Sequence, residues 1–88
     1  MIIMEPLVID YRSSEPSYRQ LARQLRAAVE SGQIAADEQL PSLNRIRQET
    51  GLAPGTIQQA IRVLVDEGVA YTVPGRGTFA GRRAQPEG

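Results

Sequence analysis

Leu40 to Gly68, LPSLNRIRQETGLAPGTIQQAIRVLVDEG, divides into two short amphipathic helices joined at a glycine, and that division decides the fold. Pro41 and Ser42 form a helix start, because the Ser42 hydroxyl can accept from the free amides of the first turn. Leu43 and Ile46 then fall on one face. Gly51 ends the helix where left-handed backbone strains a residue without a Cβ least, and Leu52 plugs the corner. Pro54 restarts a helix, its missing donor harmless in the first turn, and Ile57, Ala60, Ile61 and Leu64 recur at helical spacing as far as Gly68. Two helices joined by a short glycine-containing turn predict a helix-turn-helix, whose second helix fits a DNA major groove.

The flanks complete a small domain. On the N-terminal side, Leu7, Val8 and Ile9 after Pro6 predict a short edge strand, and Ser13 to Pro16 a turn into a helix. From Pro16, Tyr18, Leu21, Ala22, Leu25, Ala28 and Val29 sit three or four apart, with Arg19, Arg23, Arg26 and Glu30 on the other side, as in an amphipathic surface helix closed by Gly32. Ile34 is the large apolar residue of the connector from Gln33 to Gln39, expected to pin it beside Leu40. After Gly68 the period changes to two. Val69, Tyr71 and Val73 alternate with Ala70 and Thr72, Pro74 to Gly77 make a turn, and Thr78 to Gly81 return, which predicts a β-hairpin. Three helices followed by a hairpin are the order of a winged helix-turn-helix, an α+β fold that is mainly α. The domain is expected over residues 1–81, with 82–88 a polar tail.

Composition narrows the chemistry. With 88 residues there is material for one modest core and not for a separate catalytic or sensor module. The absence of cysteine and histidine removes disulfides, thiolate nucleophiles, imidazole bases and the usual zinc ligands, so no catalytic residue, metal site or cofactor is expected. The adjacent acids Asp37/Glu38 and Asp66/Glu67 do not converge on one point and read as solvated carboxylates. Tyr18, Tyr71 and Phe79 read as core rather than as a base-stacking platform. Ten arginines balance ten acids, but residues 1–39 hold four arginines against six acids and residues 40–88 six against four, so positive charge is expected with the helix pair and the tail. The N-terminus MIIMEPLVID has neither a basic region nor a long apolar run, and a soluble cytoplasmic protein without a membrane span is the expectation.

At this point the chain resembles the DNA-binding domain of the GntR family of bacterial transcription regulators, nearest the YtrA-like and MocR-like branches. The resemblance rests on IDYRSSEPSYRQL into the first helix, SGQI at its end, LPS before the second, APGTIQQAIRVLVDEG in the third and GRGTF in the wing. It implies a repressor or activator that binds double-stranded DNA, commonly as a homodimer on a palindromic operator. A further effector domain usual in the family does not follow from these residues, so no small-molecule effector is implied. Positions where many members carry DNA-contacting arginines are here Asn44, Pro54 and Gln58, and Arg47 stands where a small residue normally lets the two helices cross.

The candidate contacts are Ser42 and Arg45 at the second helix, Gly55, Thr56, Gln58, Gln59 and Arg62 on the third, and Gly75, Arg76 and Gly77 in the wing. Glutamine pairs bidentately with adenine and arginine with guanine or phosphate, whereas the bland reading of the same face is plain solvation. Ser42 suits a phosphate or is an ordinary N-cap. Arg76 at a turn tip suits a narrow minor groove, or is an exposed arginine in a tight turn. The letters GRGTFA also fit a dinucleotide fingerprint, which fails because too few residues remain for the helix it must open. The leading expectation is a sequence-specific regulator, most simply a repressor acting by occupancy. Competing with it are an accessory DNA-bending factor of a phage or mobile element, separable by circular-permutation gel shifts, and a protein-interaction winged helix that has lost DNA binding.

Overall fold

A computed structural model describes residues 7–81. Its elements are α1 (Ser17–Glu30), α2 (Leu43–Thr50), α3 (Pro54–Asp66), β1 (Ala70–Val73) and β2 (Gly77–Ala80). The order is that expected of a winged helix-turn-helix. Each helix end has a local cause. Pro16 opens α1, its carbonyl accepting from the amides of Arg19 and Gln20 at 3.0 and 3.1 Å. The Ser42 hydroxyl caps α2, accepting from the Arg45 amide at 3.1 Å. Gly51, left-handed at φ +76°, ends α2 and returns its amide to the Arg47 carbonyl.

The core lies where α1 crosses α3. Leu21 and Leu25 of α1 meet Ile57 and Leu64 of α3, with Ile46 and Leu52 closing the helix-turn-helix corner, and Ile34, Leu40, Ala70 and Ala80 sealing the wing side. Full burial of each large side chain contributes about 1.5–3 kcal/mol. A bidentate ion pair, Arg26 to Glu67 at 2.8 Å, ties α1 to the end of α3. Among the described residues no helix is long and apolar enough to cross a membrane.

Several expectations are corrected. Leu7 to Ile9 form no strand; the segment is extended but held by side chains. The Gln24 amide accepts from the Val8 N–H at 2.9 Å and donates to its carbonyl at 2.6 Å, and Gln20 does the same for Asp10 at 2.8 and 2.9 Å. Glutamines one turn apart on α1 thus match backbone groups two residues apart in the segment, a ladder built from amides in place of a second strand. The β-prone run that suggested a strand does find backbone partners, but they stand on a helix surface. The hairpin also gains a third participant. The connector before α2 runs antiparallel to β2, with Leu40 N–H on the Thr78 carbonyl and Ala80 N–H on the Glu38 carbonyl, each at 2.8 Å.

Tyr18 packs against the core as expected, whereas Tyr71 and Phe79 do not join it. They pair across the strands and stack with centroids 5.7 Å apart on the outer face, because the inward positions of that register belong to Ala70 and Ala80. Leu43 is likewise not on the core face, being 39% exposed one turn before the fully buried Ile46. Arg47 is exposed, bonded to Asn44, and leaves the helix joint to Ile46 and Thr50, whose hydroxyl donates to the Ile46 carbonyl at 2.7 Å. The expected tail, 82–88, and the first six residues of the expected domain lie outside the described residues.

Candidate nucleic-acid interface

The start of α3 leaves its backbone open. Ala53 offers no side-chain cap, Pro54 has no donor, and the amides of Thr56 and Ile57 bond back to the Ala53 carbonyl at 3.1 Å. The Gly55 N–H is left as a first-turn donor without a helical partner, and no acid stands in that turn to occupy it. A Cβ at Gly55 would meet nothing within 4 Å, so the fold itself does not require glycine there. One further turn on, Gln58 and Gln59 are exposed, and Arg62 follows on the same side. Thr56 is half-buried at the margin.

The wing approaches this helix from the side. Ser42, Leu43, Gln58, Ile61, Val73 and Arg76 are among the residues around an open cleft of about 580 Å³ between α2, α3 and the turn of the hairpin. Five of the ten candidate contacts border it: Ser42, Gln58, Gly75, Arg76 and Gly77. Gly55, Thr56, Gln59 and Arg62 lie along α3 outside its rim, and Arg45 borders a neighbouring hollow beside the connector. Gly75 takes φ +78° and Gly77 φ +126°, the latter beyond the reach of other residues. Gln39 explains the second: its amide nitrogen donates to the Arg76 carbonyl at 2.9 Å and would stand 2.5 Å from a Cβ at residue 77. Gly77 therefore shapes the turn that presents Arg76.

Electrostatics separate the arginines. Arg23 pairs with Glu15, Arg26 with Glu67 and Arg45 with Glu49, and the Arg47 guanidinium donates to the Asn44 side chain. Glu49 also accepts from the Leu7 amide at 3.1 Å, and the Arg45 hydrogen bond, then that amide, hold its carboxyl below the ordinary glutamate range. Arg45 is thus partly committed inside the molecule. Among the described residues the Arg12, Arg62 and Arg76 side chains have no hydrogen-bond or ion-pair partner, and all three are exposed. The adjacent acids are also employed: Asp37 accepts from the Tyr71 hydroxyl at 2.9 Å, Glu38 from the Ala35 amide and Glu67 from Arg26.

Sequence reasoning missed Leu43, which borders the cleft, and Gln39, which braces the wing. Leu43 carried a usable signal, since only Ile46 and Thr50 repeat with it along so short a helix and a buried threonine leaves the stripe ambiguous. Gln39 carried none, because its role depends on a contact 37 residues away.

Comparison with known proteins agrees with this geometry. Residues 17–80 match the family of bacterial regulatory proteins named gntR. The transcriptional repressor NagR of Bacillus subtilis is 35% identical over 74 residues, covering 84% of this chain and 30% of NagR. The repressor YtrA of the same organism is 32% identical over 77 residues, covering 88% of this chain and 59% of its own length. Among solved structures, the DNA-binding domain of AraR in complex with operator ORE1 superposes with a TM-score of 0.75 at 32% identity, covering 83% of this chain and 89% of that one. YtrA from Sulfolobus acidocaldarius gives 0.79 at 28% identity, covering 91% and 84%. The chain spans less than a third of NagR, of the arabinose repressor of Geobacillus stearothermophilus and of MngR of Escherichia coli.

Proposed function

Because this chain belongs to the gntR family of bacterial regulatory proteins, we propose that it is a sequence-specific regulator that binds double-stranded DNA and represses by occupying an operator. In this reading α3 enters the major groove, with Gly55, Thr56, Gln58 and Gln59 toward the bases and Arg62 toward a phosphate. Ser42 and Arg45 approach the backbone beside the start of α2, and Gly75 and Gly77 carry Arg76 into the adjoining minor groove.

The observation that carries the reading is the sorting of the polar groups. On α1, Arg23 and Arg26 are ion-paired and Arg19 donates to the Tyr18 hydroxyl, while of the three unpartnered guanidiniums among the described residues, those of Arg12, Arg62 and Arg76, two lie on the outer side of α3 and at the wing tip. The AraR domain bound to its operator is the supporting analogy from a similar structure. With so few free cations, one copy neutralises few phosphates, and affinity rises if two copies occupy the halves of a palindrome.

Enrichment of random duplexes on the purified chain, followed by fluorescence anisotropy on the best sequence, tests this. Arg76→Ala and Gln59→Ala are each expected to weaken binding to that duplex, and the isotherm on a palindrome to be steeper than one-to-one. Enrichment of no sequence overturns the reading; a strictly non-cooperative isotherm removes the dimer and leaves the rest.

A further inference from the structure

We propose that the half-site read by this chain consists of A·T pairs, recognised in the major groove by Gln58 and Gln59 and in the adjoining minor groove by Arg76; the proposal rests on the DNA-binding reading above. The first ground is what stands at the reading end of α3. Between Pro54 and Ala60 the exposed side chains include no arginine, lysine or acid, and the groups able to bond a base edge are the two glutamine amides and the half-buried Thr56 hydroxyl. Guanine offers two acceptors in the major groove and is read by a double donor such as arginine. Adenine offers one acceptor and one donor, the pattern a carboxamide matches.

The second ground is availability. The amides of Gln20, Gln24 and Gln39 are committed to backbone groups inside the molecule. Those of Gln58 and Gln59 have no such partner among the described residues, and both side chains are exposed. Arginines that could substitute as guanine readers are placed elsewhere. Arg45 is held by Glu49 at 2.9 Å and Arg47 by Asn44 at 3.3 Å. Arg62 lies seven residues beyond Gly55, about 10 Å further along the axis, where a helix that enters by its N-terminus is leaving the bases for the phosphates.

The third ground is the wing. Gly75 and Gly77, at positive φ, leave Arg76 as the only long side chain of the turn tip, and Gln39 fixes the carbonyl of that residue. A lone arginine on a narrow support is drawn to the deep negative potential of a compressed minor groove, which A·T tracts supply and the guanine amino group obstructs. Both reading elements therefore select the same base pairs through different grooves.

Modified bases separate the two grooves. Inosine·cytosine presents a guanine-like major groove with an A·T-like minor groove, and 2,6-diaminopurine·thymine does the reverse. On the duplex enriched by the full chain, each A·T pair is replaced in turn by one and then the other. Two adjacent positions are expected where inosine·cytosine weakens binding roughly tenfold to hundredfold while diaminopurine·thymine is tolerated. Flanking positions are expected to show the opposite pattern. Gln58→Ala and Gln59→Ala should each abolish the penalty at one major-groove position, and Arg76→Ala the penalty at the flanks. Both glutamines are exposed, so unchanged melting curves accompany these losses.

Guanine or cytosine at the α3-facing positions of the enriched site overturns the inference, as does an unchanged base preference in both glutamine variants. If those results come with specific binding that Arg62→Ala still weakens, the DNA-binding reading survives and only the A·T assignment falls. Failure to enrich any duplex overturns both.

Discussion

Gly55→Ala is expected to stabilise the free protein and weaken the complex, and the opposition of sign is its value. The residue is the second of α3, its φ lies in the ordinary negative range, and an added Cβ meets nothing within 4 Å. Alanine therefore enters a helix without strain and removes the excess freedom glycine gives the unfolded chain, a gain of about 0.5–1 kcal/mol. For a domain of this size that raises the melting temperature by roughly 2–8 °C. The same open space is what a DNA groove would fill. A methyl placed where backbone and base edges are in van der Waals contact forces them apart at a cost of about 1–3 kcal/mol, or roughly fivefold to hundredfold in Kd.

Thermal unfolding by circular dichroism and anisotropy titration on the enriched duplex measure the two effects on one preparation. A solvated helix face predicts the first effect without the second. Equal or tighter binding by Gly55→Ala would refute the placement of the α3 start against DNA, whatever Arg76→Ala does. A lower melting temperature would refute the claim that glycine serves no purpose in the free fold.

Three further outcomes are expected. Gln20 is 3% exposed and its amide makes three backbone bonds, to both polar groups of Asp10 and to the Glu15 carbonyl at 2.8 Å, so Gln20→Leu should cost about 1–3 kcal/mol in urea unfolding. A loss near zero would show that the N-terminal segment contributes nothing to the cooperative unit. Gly77→Ala should cost about 1–3 kcal/mol for its φ of +126°, plus the Gln39 contact; in a Gln39→Ala background only the backbone part remains, so additivity of the two changes would contradict the contact. Glu49 is held below its usual range of 4.5 by Arg45 and then by the Leu7 amide, so its contribution is full above that value and disappears as pH falls through the depressed one. Glu49→Gln should flatten the stability profile below about pH 4.5, and an identical acid limb in both proteins would contradict it.

What could be read from the residues depended on how local its cause was. The helix-turn-helix was legible because Ser42, Gly51 and Pro54 act within one turn of their own positions, through a cap, a left-handed backbone and a preset φ. The hairpin was legible from its period and from the turn around Gly75. The N-terminal segment was mistaken because a short β-prone run such as Leu7 to Ile9 reports only that the chain has an occupant along one side. It cannot say whether the occupant is another strand or, as with Gln20 and Gln24, a column of side-chain amides on a helix. The third piece of the sheet, Glu38 to Leu40, escaped because its pairing is with residues some forty positions later and its side chains are mostly polar. Tyr71 and Phe79 were misassigned because aromatic residues suggest a core, whereas a two-stranded wing presents one face inward and small alanines already fill it. Of the candidate site, the exposed side of α3 followed from its helical period. The capture of Arg45 by Glu49 and the brace by Gln39 did not, since both depend on side-chain geometry.

Zero net charge looks unfavourable for a protein that meets a polyanion, yet the arrangement of the charges changes that inference. Glu15, Glu49 and Glu67 each neutralise an arginine within a few ångströms, so the fields of those pairs fall off as dipoles and contribute little at the distance of an approaching duplex. Asp37 and Glu38 are turned to a hydroxyl and an amide on the connector side of the wing. From Pro54 to Val65, α3 contains no acid at all. With Asp66 at its far end as its one acid, α3 joins the wing tip in a proposed DNA-facing surface that carries Arg62 and Arg76 while the whole chain is neutral. Such a surface gives weak long-range steering and little non-specific affinity, because both depend on the number of phosphates neutralised. Discrimination between sequences must then come from base-edge contacts, and a carboxamide is suited to that task because it bonds only where donor and acceptor are correctly ordered. On the proposed reading, a neutral domain that reads through glutamines gives up general attraction to DNA and keeps a larger share of its binding energy in the sequence-dependent part.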